Sequence, residues 1–241
     1  MRKSGGAPLP SQAPDLPQRV FSPIARDYDT PAVVLSLFRY RAWHRFLLSR
    51  LNLPPAARVL DMATGTGLIA LDLHQRGSEV VACDVTRAML QRAQGRADRA
   101  DAQLDLVECT ADSAPFRDSS FDAITFAYLL RYVHDVPGTL ESLGRLLKPG
   151  GTMASLDFAV PHGIWHPLWR LYTAVVLPTA GRLFSRDWQR VGAFLGPNIR
   201  DFDRRWPEDK LLSAWRDAGF TNVRSRRLTV GGAVVIWGTK G

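Results

Sequence analysis

Through the middle of the chain, short apolar runs alternate with stretches in which apolar residues recur every three or four positions. The runs at 58–62, 80–84, 104–109, 121–126 and 152–158 predict strands, and the amphipathic stretches at 68–76, 86–99 and 138–147 predict helices. Gly77 follows the first of these helices as a C-cap, and Pro149-Gly150-Gly151 turns the chain from helix into strand. Strands separated by helices pair in parallel through right-handed crossovers. The expected fold class is therefore α/β, with a doubly wound, mostly parallel sheet.

The two ends leave this rhythm. After residue 158 an aromatic segment broken by prolines, about 160–206, predicts a helical lid or substrate insertion. Pro207 is expected in the first turn of a helix, with Glu208 and Asp209 at the positive end of its dipole and Gly219 ending it. The runs 223–230 and 233–239, separated by a glycine pair, predict a C-terminal antiparallel hairpin. Upstream, a helical stretch is expected from about 21 to 51, with Trp43, Phe46 and Leu47 on one face. Residues 1–20 carry four prolines and predict a flexible arm, so that 21–241 form a single domain. No internal repeat is visible.

Composition narrows the class. With 241 residues, 46% hydrophobic and 22% charged, the chain buries one real core and is not disordered over most of its length. Its most apolar stretch, 158–184, is interrupted by Pro161, Pro167, Arg170, Pro178 and Arg182, which argues against a bilayer span. Cys83 and Cys109 sit in apolar runs without metal-ligand spacing, so they read as reduced core residues, and no metal site is expected. Residues 1–20 lack the apolar core of a secretion signal, which makes the cytoplasm the expected location. The net charge is +8, of which +6 lies between Phe158 and Arg227, interleaved with Trp165, Trp169, Trp188, Trp206 and Trp215. Such a surface suits anionic lipid headgroups, nucleic acid, or simply solvated helix faces.

The strand at 58–62 runs into Ala63-Thr64-Gly65-Thr66-Gly67 and then a helix. Glycines there let backbone pass close to a ligand, and the helix start offers free N–H groups. The spacing also satisfies a dinucleotide-type glycine pattern, a weak signal alone. Asp61 precedes the loop, where it would repel a pyrophosphate and attract a cation, and Asp84 ends the second strand where it can accept both hydroxyls of a ribose. With the C-terminal hairpin, these acids favour S-adenosylmethionine, whose sulfonium and ammonium groups seek negative charge.

The chain resembles class I methyltransferases and, within them, the UbiE/MenG type that C-methylates ubiquinone and menaquinone precursors. The resemblance spans about 21–240. It rests on 25–29 (ARDYD), 59–67 (VLDMATGTG), 81–90 (VACDVTRAML), 121–133 (FDAITFAYLLRYV), 147–151 (LKPGG), 156–161 (LDFAVP), 218–220 (AGF) and 228–240 (LTVGGAVVIWGTK). It implies a Rossmann-like fold and contacts to the cofactor, leaving as S-adenosylhomocysteine, from Asp61, Ala63, Thr64, Gly65, Thr66, Gly67, Asp84, Val85 and Met89. Thr110 and Ala111 fall where the family holds the adenine, with Asp112 as a rival acceptor, and Ala127 falls near the methionine portion.

On the acceptor side the resemblance points to Tyr28 and Trp43, and Tyr40, Tyr128, Tyr132 and Tyr172 are further candidates to shape the pocket. Arg131 matches the arginine of the family's LRN motif, implying help with deprotonation through water, and Asp157 stands for the glutamate of EFS. Four positions depart from the pattern: Tyr132 replaces Asn, Tyr40 replaces His, Phe38 replaces Gly and Ile236 replaces His, each expected to make the acceptor pocket more apolar. An ortho ring carbon attacks well only when its phenol is ionised, so a cation such as Arg131 and a base are needed; water, Asp157, His134, His162 and His166 are candidate bases. The expected acceptor is a lipophilic quinol, with peripheral contact at the inner face of a membrane left open and no nucleic-acid partner. The alternatives are a phenolic or polyketide-like natural product methylated at C, O or N, or a cofactor-binding relative without methyl transfer. Oligomeric state is not legible.

Overall fold

The structure, a computed structural model, describes residues 16–241. The segments in order are α1 (Leu16–Phe21), a 3-10 turn (Ser22–Asp27), α2 (Asp29–Leu35), α3 (Tyr40–Leu48), β1 (Arg58–Met62), α4 (Leu68–Gln75), β2 (Glu79–Asp84), α5 (Arg87–Arg99) and β3 (Asp105–Glu108). There follow β4 (Phe121–Ala127), α6 (Val136–Leu146), β5 (Leu147–Phe158), α7 (Trp165–Leu171), a π-helical turn (Tyr172–Val176), α8 (Leu177–Phe184), α9 (Arg186–Arg205), α10 (Glu208–Asp217), β6 (Phe220–Leu228) and β7 (Ala233–Lys240).

The strands form one sheet in the order β3-β2-β1-β4-β5-β7-β6. The first five are parallel, and β7 inserts antiparallel between β5 and β6, pairing Asp157 with Val234 and Ser225 with Ile236. The expected doubly wound sheet with its terminal hairpin is present. Because β1, β2 and β4 are covered on both faces, they read as continuous apolar runs, and their order reverses at β1, leaving a crevice at their carboxyl ends. One core cluster packs Leu60, Phe121, Phe126, Leu140 and Trp215 on one face, and a second packs Val59, Leu73, Ala82 and Leu156 on the other.

Several expectations need correction. The arm was expected to reach residue 20, yet Leu16–Phe21 is helical, with Leu16 and Val20 buried against Ile24, Trp188 and Val191; residues 1–15 lie outside the described ones. The stretch from 21 to 51 is not one helix. It breaks between α2 and α3, where Leu37 and Phe38 take φ of 52° and 61°, a left-handed pair that no helix continues through. β5 starts at Leu147 because the Pro149-Gly150-Gly151 turn is absorbed as an irregularity against β4. Pro207 is the N-cap of α10, one position earlier than expected, and the hairpin strands begin at Phe220 and end at Lys240.

The segment expected as a lid or substrate insertion is helical. α8 and α9 pack so closely that a Cβ on Gly181 or Gly192 would lie 2.5 Å from backbone oxygen of the facing helix. No described helix is long and apolar enough to cross a membrane.

Candidate active site

The β1–α4 loop follows from its backbone. Ala63, Gly65 and Gly67 all have positive φ, of 57°, 57° and 77°. At Gly67 the reason is packing as well as conformation, since an added Cβ would sit 2.9 Å from the Cβ of Ala93 on α5. Behind the loop, Asp61 accepts hydrogen bonds from the hydroxyls of Thr64 (2.6 Å) and Thr125 (2.8 Å). Burial raises its carboxyl to about 6, against the pull of these two bonds.

Ahead of the loop lies a cavity of about 270 Å³, lined by Ala63, Thr64, Gly65, Thr66, Asp84, Val85, Met89, Thr110, Ala111, Asp112 and Ala127, with Cys109, His134 and His44 beside them. Asp84 is buried yet faces this space. Its Oδ2 accepts the Gly65 N–H at 2.9 Å and its Oδ1 the Thr86 N–H at 2.8 Å, which leaves the remaining lone pairs for a ligand. Burial pushes this carboxyl up as well. Two predicted contacts are corrected. Asp61 and Gly67 are not in the cavity wall: Asp61 stands behind the loop and shapes it, and Gly67 lets the loop pack on α5. Asp112, proposed as a rival to Thr110, takes the Thr139 hydroxyl at 2.5 Å, while the Thr110 hydroxyl is 2.9 Å from that of Ser113. Cys109, expected in the core, is half-buried and lines the cavity; only Cys83 is fully enclosed.

A second cavity of about 330 Å³ adjoins the first beneath the lid helices. Phe21, Tyr28, Tyr40, Tyr128 and Tyr132 border both, so four of the six predicted acceptor-side residues form the boundary between them. Tyr40 stacks on Tyr128, and Phe21 meets Tyr28 and Tyr132 edge to face. Burial raises the phenol of Tyr28, Tyr40, Tyr128 and Tyr132, so all four stay neutral at pH 7. Trp43 and Tyr172 line the second cavity alone. Trp43 Nε1 donates to the Thr229 hydroxyl at 2.8 Å, and the Tyr172 hydroxyl donates to the Leu35 carbonyl.

Arg131 also lines the second cavity and, among the described residues, is the one charged side chain in its wall. Its Nε donates to Asp157 Oδ1 (2.6 Å) and one terminal nitrogen to Asn198 Oδ1 (2.6 Å) and the Tyr132 hydroxyl (3.3 Å); its plane lies over the Tyr132 and Phe158 rings. Asp157 borders neither large cavity. It faces a small one of about 30 Å³ shared with Asp203 and Glu208 and does not line the second cavity, where a base for the acceptor was expected. Ile236 lines that same small space, and Phe38 is 73% exposed on its turn, so only Tyr40 and Tyr132 of the four departures reach the second cavity. His162 and His166 line neither large cavity.

Two features escaped the sequence reading. His44 is buried in the first cavity's wall with its ring 4.1 Å from that of Tyr40 and its Nε2 without a hydrogen-bond partner; burial lowers it to about 4. Its spacing of four from Tyr40 on α3 was the available signal. The second is a latch: the Thr66 hydroxyl donates to Asp29 Oδ1 at 2.6 Å, and Arg96 binds both Asp29 and the Thr66 carbonyl.

The fit to S-adenosylmethionine can be tested on these atoms. A carboxylate with both backbone-facing lone pairs satisfied and the others aimed into the cavity suits a ribose diol, and the open side of Gly65, with nothing within 4 Å of an added Cβ, leaves room beside the loop. Residues 12–240 match the ubiE/COQ5 methyltransferase family. The chain belongs to that family. A ubiquinone/menaquinone biosynthesis C-methyltransferase UbiE from Desulfotalea psychrophila is 34% identical over 226 residues, covering 92% of this chain and 89% of the relative. Among solved structures, the [4+2]-cyclase SpnF superposes with a TM-score of 0.69 at 14% identity, covering 97% of this chain and 99% of its own. The geranyl diphosphate C-methyltransferase of Streptomyces coelicolor gives 0.62 at 15% identity, covering 86% and 82%. Those two likenesses speak for the fold alone. The family supplies the reaction: the chain is an S-adenosylmethionine-dependent methyltransferase with a Rossmann-like fold.

Proposed function

We propose that this enzyme C-methylates a lipophilic quinol of the demethylmenaquinol or ubiquinol-precursor type, bound in the second cavity. The observation that carries this reading is the junction of the two cavities. A largely apolar chamber of about 330 Å³ meets the cofactor cavity across Tyr28, Tyr40, Tyr128 and Tyr132, with a single buried cation, Arg131, in its wall. The relatives named as ubiquinone/menaquinone biosynthesis C-methyltransferases support it, at 34–37% identity over most of their length.

When bound, S-adenosylmethionine supplies an electrophilic methyl on a sulfonium. The protein's part is positioning, exclusion of water and charge. Asp84, Val85, Met89, Thr110, Ala111 and Asp112 would hold the nucleoside end of the cofactor, and Thr64, Gly65, Thr66 and Ala127 its methionine end. Aromatic side chains at the junction hold the quinol ring flat and dry. Arg131 stabilises the phenolate that makes the ortho carbon nucleophilic, an effect for which removal of one donor typically costs about 3–4 kcal/mol of barrier. The guanidinium itself stays charged and takes no proton. Asp157 acts by fixing Arg131, through the 2.6 Å bond to Nε, and the departing proton goes to water or to His134. The enzyme works in the cytoplasm at the inner face of the membrane where such quinols reside.

A second acceptor class, a phenolic natural product, is favoured by one observation: Tyr40 and Tyr132, which depart from the family pattern, both line the acceptor cavity. The test is transfer of labelled methyl from S-adenosylmethionine to chemically reduced demethylmenaquinol. Label in the organic extract is the expected result. No transfer, with cofactor binding verified by calorimetry on the same sample, turns the reading to the phenolic class.

A further inference from the structure

The large apolar side chains that the described residues leave exposed are confined to four short segments: the α2–α3 turn around Leu37 and Phe38, the stretch from Ile164 through α7 to Val176, the end of α8 at Leu183 and Phe184, and Val230. Folding does not require this exposure. The same helices bury Thr173, Leu177 and Gly181 against α9 and so satisfy their inner face. Leu37, Trp165, Leu168 and Val230 are both exposed and part of the acceptor cavity's lining, so the surface and the cavity are continuous.

Charge around this surface has one sign. No Asp or Glu occurs between Asp29 and Asp61 or between Asp157 and Asp187, the two stretches that supply nearly all of it. They carry arginines instead: Arg39, Arg41, Arg170, Arg182 and Arg186 are exposed, and none has an ion-pair partner among the described residues. A second copy docked face to face would bring these arginines against one another. An interface with acyl chains below and phosphates above satisfies both components.

We propose that this face docks on an anionic lipid bilayer, with Phe38, Leu171 and Leu183 at the acyl boundary and the arginines on headgroup phosphates, so that the acceptor cavity opens toward the membrane. The proposal rests on the reading of the acceptor as lipophilic. Substrate then passes from lipid to cavity without crossing water, and Leu37, Trp165, Leu168 and Val230 form the threshold.

The experiment uses the full chain with vesicles of phosphatidylcholine alone or mixed with phosphatidylglycerol, and the double variant Phe38→Glu/Leu183→Glu, whose positions line no cavity. Flotation should recover the wild type with the anionic vesicles, less so as salt is raised. The variant should lose about tenfold or more in partitioning while binding cofactor normally and methylating a short-chain acceptor in solution at the wild-type rate. Its activity on a vesicle-borne acceptor should fall with its partitioning. Absence of wild-type flotation, unchanged flotation of the variant, or a doubled mass in light scattering that the variant abolishes would each overturn the proposal. Flotation without methylation of any quinol would count against the acceptor and leave the docking surface standing.

Discussion

Arg131 Nε donates to Asp157 Oδ1 at 2.6 Å, and the pair is closed off from water, the arginine side chain 1% exposed and the aspartate 13%. The ion pair therefore serves two purposes. It anchors β5 to the segment after β4, and it presents a fixed positive charge to the second cavity.

Breaking it from one side leaves an uncompensated buried charge. Arg131→Ala should lose about 3–5 kcal/mol of stability in addition to its activity, so its rate must be compared per folded molecule. Urea unfolding measures the first effect. Asp157→Asn keeps an acceptor for Nε and should lose less on both counts. Equal stability of Arg131→Ala and wild type would contradict the buried pair.

Asp61 sets a pH window for cofactor binding. Burial raises its carboxyl to about 6, and it lies behind the loop proposed to meet the cationic cofactor. A bound cation favours the ionised form, so affinity for S-adenosylmethionine should rise as pH is raised to about 6 and level off above it. Calorimetric titrations from pH 5 to 8 should show this rise in the wild type and a flat profile in Asp61→Asn. A profile that still rises in the variant assigns the effect elsewhere.

His44 makes an acid-sensitive contribution to stability. Its folded value of about 4 lies below the unfolded value of about 6.5, so the folded state binds fewer protons between those limits. The stability it provides is complete above about pH 6.5 and drains away as pH falls toward 4. Asp61, raised rather than lowered, instead favours the folded state at the acid end of that window and loses that benefit as pH rises through 6. His44→Leu removes the first of these slopes and leaves the others. Its stability at pH 5 relative to pH 7.5 should improve by roughly 2 kcal/mol compared with wild type, read from urea midpoints; an unchanged difference would refute the burial argument.

The Asp29–Thr66–Arg96 latch ties the N-terminal helices to the glycine loop. Asp29→Ala should raise the KM for S-adenosylmethionine about tenfold, the scale of a lost charged hydrogen bond, with little change in kcat. A drop in kcat alone would show that the latch acts on chemistry instead of loop placement.

The sheet was legible because its central strands β1, β2 and β4 are covered on both faces and therefore read as unbroken apolar runs between helical periods. The first cavity was legible for a related reason: Asp84 and Ala127 end β2 and β4, and Gly65 lies in the loop just past β1, at positions the pattern fixes. Side-chain direction was not. Asp61 sits next to the loop in sequence, but the Thr64 and Thr125 hydroxyls draw it behind the cavity wall. Asp157, at the end of β5, turns to the small cavity because Arg131 Nε and the Phe158 N–H hold its Oδ1. The break at Leu37 and Phe38 was hidden because neither residue type favours the left-handed conformation the turn adopts. The packing of α1 on Ile24 and Trp188 depends on a partner more than 150 positions away, which no local pattern reveals.

The predicted transfer carries methyl from the first cavity to a ring carbon held in the second. It is tested most directly with S-adenosylmethionine carrying a ¹³C-labelled methyl, reduced demethylmenaquinol as acceptor, and carbon NMR of the extracted product. A label bonded to the quinone ring carbon is the predicted result, with Arg131→Lys giving less of the same product. A label on oxygen, or none on the quinol while cofactor binding is intact, would contradict the account.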